Sequence, residues 1–153
     1  MTNRNAVKDR IRQCLGIAKR NTLPLCLALM AIDGLDLRLQ QQEKEKTEQV
    51  LLELIEEIQD NLRESDWVAY WGNNEFIMVI FAPPKGAKIA LERIFKAFTN
   101  REITCNENTV IPCQGKIGFT EVQPNEHMNA CLDRIEQALH RSRKSDRFFV
   151  FLK

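Results

Sequence analysis

The chain has 153 residues, of which 44 % are hydrophobic, so it is long enough for one domain with a core of its own. Its 22 lysines and arginines almost balance its 21 aspartates and glutamates, and the net charge of +1 argues against a nucleic-acid partner. The longest apolar stretch, Leu23 to Ile32, is too short to span a bilayer. We expect a single cytoplasmic domain over residues 1–153, without membrane insertion.

The first half of the chain is predicted to alternate helices and strands. Apolar residues at helical spacing predict helices over residues 5–20 and 43–62. The continuous apolar run from Leu23 to Ile32 predicts a central strand that is buried on both faces. Residues 67–81 predict a β-hairpin that turns at Gly72-Asn73-Asn74, because Gly and Asn tolerate the positive φ of tight turns. Within it, Trp67 and Trp71 share one strand face and are expected to pack in a core or an interface.

The second half is predicted to begin with irregular structure. Residues 82–86 contain two prolines and a glycine, which disfavour helix and strand. The predicted elements that follow are a helix to about Phe98 with Ala90, Ile94, Ala97 and Phe98 facing inward, a minor hairpin over residues 102–110, a strand over Cys113–Val122, a helix carrying Met128 and Leu139, and a strand over Arg147–Leu152. This order predicts an α/β (α+β) fold with helices packed on a sheet.

The five cysteines are odd in number and show no metal-ligand spacing. We expect reduced, mostly buried thiols, as is usual in the cytosol. A disulfide between Cys105 and Cys113, across the minor hairpin, is a minor alternative. His127 and His140 have no cysteine or carboxylate at metal-binding spacing, and both are expected on the surface.

Five segments of the chain, in order, resemble the motifs of the GGDEF family, the diguanylate cyclase domains that join two GTP molecules into cyclic di-GMP. They are Asn3-Arg4, LALMAIDGLD, DWVAYWGNNEF, GKIGFTEV and ALHRSRKSDRFFVF. The resemblance covers nearly the whole chain. It implies a nucleotidyl-cyclase palm-like fold, with a central mixed five-stranded sheet flanked by helices and a minor hairpin. Because the chain begins inside the family's opening motif, a piece excised from a longer protein stays an alternative.

The chain departs from the family at the active site. The residues that match the family's two metal-binding carboxylates are Ala31 and Asn74, and the second signature glycine is Asn73. Divalent metals on nucleotide phosphates need anionic oxygen ligands, which these residues lack. The resemblance therefore implies a degenerate active site without cyclase activity or cofactor. Its positions are Ala31, Asp33, Gly72, Asn73, Asn74 and Glu75; a weak residual metal site at Asp33 and Glu75 stays an alternative.

Nucleotide contacts of the family are partly lost as well. The guanine-contacting Asn and its partner Asp match Leu39 and Glu48 in this chain. Arg143 and Arg147 keep positive charge where the family grips phosphate, so residual phosphate contacts are implied at these two residues.

A second family site is preserved. Five residues separate Arg63-Glu64-Ser65-Asp66 from Gly72, as in family members that bind their own product through Arg-x-x-Asp, and Arg93 lies in the context of a further arginine of that site. A guanidinium fits phosphate oxygens or the O6/N7 edge of guanine, and a carboxylate accepts from the N1 and N2 hydrogens. The resemblance implies a cyclic di-GMP site at Arg63, Asp66 and Arg93. The alternative is that Arg63 follows a helix C-terminus and Asp66 starts a turn.

The leading hypothesis is a catalytically inactive GGDEF-like domain that acts as a cyclic di-GMP receptor. Its partners would be cyclic di-GMP and either a protein or a second domain bridged by intercalated ligands. The alternative hypothesis is a pseudo-enzyme scaffold that binds no nucleotide and works through protein contacts.

Overall fold

The computed structural model of the chain describes residues 4–32, 44–99, 102–106, 109–112, 115–145 and 147–153. Its elements follow the predicted order of helices and strands. They are α1 (Arg4–Asn21), β1 (Cys26–Ile32), α2 (Lys44–Asp60), β2 (Trp67–Gly72), β3 (Glu75–Ile80), α3 (Pro84–Thr99), β4 (Glu102–Asn106), β5 (Thr109–Pro112), β6 (Gly115–Glu121), α4 (Met128–Lys144) and β7 (Phe149–Leu152). In these ranges, none of the helices has the length and apolar character that a membrane span requires.

Five strands form one sheet in the order β2-β3-β1-β6-β7. Every neighbouring pair is antiparallel except β6 and β7, which run parallel, so the sheet is mixed. Strands β4 and β5 form a separate hairpin. The predicted fold class, a mixed five-stranded sheet with helices and a minor hairpin, is confirmed.

The central strand β1 is buried along its whole length and contributes to two cores. On one face of the sheet, Met30 and its alternate neighbours pack with apolar residues of α2 and α3. On the other face, Leu29 and its neighbours pack with residues of α1 and α4. Trp67 and Trp71 are both buried in this second core, as predicted from their shared strand face. Helices therefore cover both faces of the sheet.

The prediction of irregular structure over residues 82–86 is wrong, because α3 begins at Pro84. Proline fits the first position of a helix, since the N–H that it lacks would have no helical partner there. The inward face of α3 is predicted correctly at Ile94 and Phe98, which are buried. Ala87 and Leu91 complete that face, whereas the predicted Ala90 and Ala97 are only half-buried.

The central strand begins at Cys26 and not at the predicted Leu23. Thr22 adopts a positive φ of 52°, which ends α1, and Pro24 has no N–H to donate to a sheet. Leu23 is 45 % exposed and lies outside the core. The apolar run therefore marks the buried strand correctly but overestimates its length.

Two arginines of α1 stack on the two tryptophans of β2. The guanidinium of Arg4 lies 4.6 Å from the ring centre of Trp71, and that of Arg10 lies 4.4 Å from the ring centre of Trp67. Arg4 Nε also donates to the carbonyl of Trp71 at 2.6 Å, and Trp67 Nε1 donates to Cys14 Sγ at 3.1 Å. Because cation–π contacts and hydrogen bonds act together, α1 is tied to the β2–β3 hairpin.

Buried thiols are confirmed for the three cysteines whose side chains are described. Cys14, Cys26 and Cys131 are free and buried. Cys113 and the side chain of Cys105 lie outside the described residues. Both histidines are exposed as predicted, and His127 Nδ1 accepts from Asn129 N at the start of α4.

Helix α4 is anchored to the end of β6 by Arg134. Its guanidinium pairs with the Glu126 carboxylate, donating from Nη2 to Oε1 at 2.8 Å, and also donates from Nη2 to the carbonyl of Glu121 at 2.9 Å. Its Nε donates to Thr120 Oγ1. The hydrogen bond from Arg134 is the largest cause that lowers the pKa of Glu126 to about 2.

Gly118→Ala is expected to destabilise the fold strongly. Strand β6 packs so closely on α4 that a Cβ at Gly118 would lie 2.6 Å from the carbonyl carbon of Ala138. Helix backbone cannot yield as a side chain can, so we expect the free energy of unfolding to fall by about 3 kcal/mol or more. The control is Gly16→Ala in α1, where the nearest atom belongs to the flexible Arg20 side chain and the change raises helix propensity by about 0.5–1 kcal/mol. Urea unfolding measures both; equal stability of the two variants would contradict the packing.

Glu126→Gln is expected to remove part of the acid sensitivity of the fold. Because the pKa of Glu126 is about 2 in the folded protein against an ordinary 4.5, the unfolded chain takes up this proton first as the pH falls. The stability from the ion pair is therefore present above about pH 4.5 and is lost towards about pH 2, amounting to about 3 kcal/mol.

The measurement is urea unfolding, followed by tryptophan fluorescence, at about pH 6 and about pH 3. Glu53→Gln, a change of an exposed glutamate on α2, serves as the control and should retain the acid loss of the parent chain. An unchanged pH dependence in Glu126→Gln would contradict the role of the pair.

Candidate functional site

The hairpin tip between β2 and β3 is formed by three residues with positive φ. The values are 98° at Gly72, 54° at Asn73 and 64° at Asn74, which is the conformation that Gly and Asn adopt most easily. Asn74 N donates to Tyr70 Oη at 3.1 Å, and Asn74 O accepts from Ile32 N at 3.2 Å. The tip is therefore held against the end of β1, as the order of strands in the sheet requires.

Ala31 lies beside Glu75 in the sheet register, and Lys116 lies on its other side. Ala31 is buried and contributes only a methyl group to this end of the sheet. The structure thus brings together β1 and the hairpin tip, the two places where the degenerate active site was predicted. Asp33 and Leu39 lie outside the described residues.

The carboxylate of Glu75 is paired with a cation of the protein itself. Its Oε2 accepts from Arg143 Nη2 at 3.1 Å, and the Glu75 side chain is only 13 % exposed. Burial raises the pKa of Glu75, Glu136 adds to the rise, and the nearby charges of Arg143 and Arg4 oppose it. Arg4 also approaches the tip, with Nη2 3.6 Å from the place where a Cβ of Gly72 would be. Guanidinium groups from α1 and α4 thus surround this carboxylate.

The residues at the tip do not fit a divalent metal. Such a metal needs several anionic oxygens, but Ala31 has none, Asn74 offers a neutral amide, and Glu75 is engaged by Arg143. In the described ranges, no three histidines, cysteines or acidic residues are grouped as metal ligands.

Arg143 and Arg147, the predicted phosphate contacts, both lie at the C-terminal end of α4 or just after it. Arg143 is the cation that pairs with Glu75. Arg147 is exposed, and its backbone is bonded to two serine side chains at the helix end: its carbonyl accepts from Ser142 Oγ at 2.8 Å and its N donates to Ser145 Oγ at 3.2 Å. Glu48, the other predicted departure, is half-buried on α2.

A separate cleft brings together Arg63, Asp66 and Arg93, although Arg93 comes from a different element. The first two lie in the turn between α2 and β2, and Arg93 lies on α3. The cleft has a volume of about 430 Å³, within the range of small-molecule sites. Apolar parts of its wall come from Pro24, Pro83 and Ile89, among others.

Asp66 is a buried backbone acceptor at the base of this cleft. It is 2 % exposed, and its Oδ1 accepts from Phe81 N at 2.8 Å while its Oδ2 accepts from Arg63 N at 3.2 Å. Its own carbonyl accepts from Gln59 Nε2 at 2.9 Å. Hydrogen bonds from backbone N–H groups compensate a buried carboxylate for its lost hydration. The turn here runs from Arg63 to Asp66, whose N donates to the carbonyl of Arg63 at 3.0 Å, so Asp66 ends a turn and does not start one as the alternative interpretation predicted.

Arg63 completes the same contact from the solvent side. Its side chain is 66 % exposed, its Nε lies 3.7 Å from Asp66 Oδ2, and its Nη2 donates to the carbonyl of Phe81. The N–H and the C=O of Phe81 are thus held by Asp66 and Arg63 respectively. We call this arrangement of Arg63, Asp66 and the Phe81 backbone the Phe81 clamp. No motif or spacing pointed to Phe81, which is fifteen residues from Asp66.

Arg93 presents the second cation of the cleft. Its side chain is exposed, and within the described part of the chain no hydrogen bond or ion pair engages its guanidinium. Two exposed guanidinium groups beside apolar walls suit an anionic ligand with planar rings, because arginine both pairs with phosphate and stacks on rings.

Comparison with known proteins supports the resemblance. The family model described as "Diguanylate cyclase, GGDEF domain" matches residues 1–148. The diguanylate cyclase DgcP of Pseudomonas aeruginosa is 27 % identical over 149 residues, which are 96 % of this chain and 22 % of DgcP. The chain therefore spans about a fifth of the length of that relative.

Two solved structures share the fold. The diguanylate cyclase SiaD of Pseudomonas aeruginosa, solved in complex with its activator SiaC, has a TM-score of 0.85 at 22 % identity and covers 99 % of this chain and 59 % of its own. The GGDEF domain of DgcB from Caulobacter crescentus, solved in complex with c-di-GMP, has a TM-score of 0.83 at 21 % identity, with coverages of 99 % and 91 %. Together with the family match over nearly the whole length, they lead to one conclusion: the chain belongs to the GGDEF domain family.

Proposed function

We propose that this chain is a catalytically inactive GGDEF domain that binds cyclic di-GMP in the cleft of Arg63, Asp66 and Arg93 and acts as a regulatory module. The observation that carries the proposal is the convergence of two exposed guanidinium groups, 30 residues apart in sequence, on one cleft. The complex of the DgcB domain with c-di-GMP supports a ligand of this chemistry for the fold.

The chemistry of the cleft suits a cyclic guanine dinucleotide. Each arginine offers a planar fork of N–H donors, which matches a phosphate or the O6/N7 edge of guanine. The apolar walls at Pro24, Pro83 and Ile89 give the ring faces a surface to pack on. A ligand with two guanines and two phosphates engages both arginines at once.

Ligand binding would act by joining the domain to a partner. Two intercalated ligand molecules expose a second set of guanine edges and phosphates, which suits a second copy of this domain or another protein. The SiaD structure, solved with its activator SiaC, shows that a protein of this fold binds a protein regulator.

The residues at the hairpin tip support the proposed loss of catalysis. Phosphoryl transfer in this family depends on metal ions that neutralise phosphate charge. Ala31 supplies no ligand for such ions, Asn74 supplies no charge, and Glu75 is paired with Arg143. The positive charge beside Glu75 thus comes from an arginine side chain of the protein itself.

With GTP and magnesium, the chain is expected to produce no cyclic di-GMP. Without anionic metal ligands at Ala31 and Asn74, the attacking hydroxyl and the triphosphate lose the charge neutralisation that the reaction needs. Chromatography of long incubations, beside an active diguanylate cyclase as positive control, checks the expectation. Magnesium-dependent accumulation of product that disappears in Glu75→Gln would show that the site is active.

Titration calorimetry is expected to show binding of cyclic di-GMP to the parent chain and an affinity loss of about 10- to 100-fold in Arg63→Ala. The loss corresponds to the charge-assisted hydrogen bonds of one guanidinium, about 1.5–3 kcal/mol. Arg93→Ala should behave likewise.

The matched control for this titration is Arg141→Ala, which removes an equal charge from the exposed side of α4. It should bind as the parent chain does. Absence of any binding heat with the parent chain, or an equal loss in the control, would rule out the site.

The alternative function is a protein-interaction scaffold that binds no nucleotide. It is favoured by a larger groove of about 830 Å³ between α1 and the loop before α4, whose apolar lining includes Leu15, Leu23 and Val122. Under this alternative, neither cyclic di-GMP nor GTP raises the melting temperature of the chain, whereas under our proposal cyclic di-GMP does.

A further inference from the structure

We propose that the open edge of β7 is a docking surface for an extended, acidic segment of a partner protein, which adds to the sheet as a further strand. Strand β7 ends the sheet order β2-β3-β1-β6-β7, and within the described part of the chain it pairs with β6 alone. It lies at the edge opposite to β2, whose preceding turn carries Arg63 and Asp66. The proposed surface is therefore separate from the cyclic di-GMP cleft.

The backbone of β7 presents hydrogen-bonding groups at this open edge. Ile117 N donates to the carbonyl of Phe148 at 2.8 Å, and Thr120 Oγ1 donates to the carbonyl of Leu152 at 2.6 Å. Because the polar groups of successive residues point to alternate sides of a strand, the N–H and C=O of Phe149 and Phe151 point away from β6. An outward row of this kind is the template with which an added strand pairs.

The side chains along this edge are aromatic and already stacked on one another. Phe148 and Phe151 are 44 % and 39 % exposed, although both are large and apolar. The ring centre of Phe95 lies 4.9 Å from that of Phe148 and 5.2 Å from that of Phe149. The ring centre of Phe119 lies 5.1 Å from that of Phe151. Stacked rings lose little freedom when a partner covers them, so the edge is preorganised for an apolar contact.

The charges beside the edge favour an acidic occupant. Arg147 precedes β7 by two residues, Lys153 follows it directly, and both are exposed. Lys116 of β6 lies over the ring of Phe148, with Nζ 4.7 Å from the ring centre. From the last turn of α4 to Lys153, the charged side chains that the structure describes are all cationic; Asp146 lies outside the described residues. Carboxylates of an added strand would therefore form cross-strand ion pairs here.

The same charges disfavour a second copy of this chain as the occupant. If two β7 strands paired antiparallel through Phe149 and Phe151, Arg147 of one copy would lie opposite Lys153 of the other, since both lie three residues from Val150. The symmetry of such a dimer repeats this contact, and like charges directly opposite each other are destabilising. A different protein with acidic residues six positions apart would form two favourable pairs in the same register.

The probe for this surface is a synthetic heptapeptide, blocked at both ends, with the sequence Glu-Thr-Val-Thr-Val-Thr-Glu. Its glutamates match the spacing of Arg147 and Lys153, and its valines lie opposite Phe149 and Phe151 in an antiparallel pairing. The peptide is titrated into the whole chain, labelled with ¹⁵N, and followed by NMR. We expect saturable shifts centred on β7, largest at the amide protons of Phe149 and Phe151, because these two gain a hydrogen bond.

Matched peptides test the backbone pairing and the charge preference separately. N-methylation of both valines removes the donors that face β7 and should abolish binding, whereas N-methylation of the second and fourth residues, whose N–H groups face solvent, should change the affinity by less than about threefold. Lysine in place of both glutamates should weaken binding about tenfold or more, because two ion pairs become two like-charge pairs.

A charge reversal in the protein provides the reciprocal test. Lys153→Glu lies outside the core and should weaken binding of the glutamate peptide, and strengthen binding of the lysine peptide, by about threefold each. The control is Lys85→Glu, an equal change at an exposed residue of α3 that lies ten residues before Phe95. It should leave both affinities unchanged.

Three outcomes would overturn the proposal: no shifts with the glutamate peptide, equal binding of the two N-methylated peptides, or binding of the lysine peptide as tight as that of the glutamate peptide. Sedimentation of the parent chain without ligand examines the second copy, and we expect a monomer. A dimer that Phe151→Arg dissociates would show that β7 pairs with itself and would also overturn the proposal. Since the peptide does not depend on the cleft, a failure here leaves cyclic di-GMP binding untouched, and the converse holds.

Discussion

The cleft depends on one buried carboxylate. Asp66 joins the turn after α2 to the end of β3 by accepting from Phe81 N, and it fixes its own turn by accepting from Arg63 N. Because Phe81 precedes α3 by three residues, the same contact also sets where the first turn of α3 lies. The position of Arg63 and the start of the helix that carries Arg93 therefore both depend on the Asp66 carboxylate, which accepts from two backbone amides.

The arginines at the two ends of the β2–β3 hairpin differ in their partners and in their exposure to solvent. At the tip, the Arg143 guanidinium forms an ion pair with Glu75, and Arg4 Nε donates to the carbonyl of Trp71. Both arginines there are therefore engaged by groups of the protein. At the base, the carboxylate of Asp66 is shielded and Arg63 keeps most of its surface in solvent. Two exposed guanidinium groups in one cleft attract anions, which is why we assign ligand binding to the base and not to the tip.

Periodicity in the sequence predicts most of the fold, because hydrophobic burial dominates where helices and strands form. The apolar run ending at Ile32 marks the central strand, and Gly72-Asn73-Asn74 marks the hairpin turn through its positive φ. The start of α3 at Pro84 was missed, since a proline ends one helix as readily as it begins another. The pairing of Glu75 with Arg143, 68 residues apart, follows only from the three-dimensional packing.

The motif around Arg63 shows the same limit at the candidate site. Spacing and context predicted which residues meet in the cleft, and the structure brings all three to it. The role of Asp66 was not predictable, because it depends on the backbone of Phe81, and every residue type has the same backbone N–H.

A crystal structure of the chain with cyclic di-GMP tests the account most directly. We expect cyclic di-GMP in the cleft, with its phosphates or guanine edges on Arg63 and Arg93. A ligand at the hairpin tip, or a cleft that stays empty at saturating ligand, would contradict it.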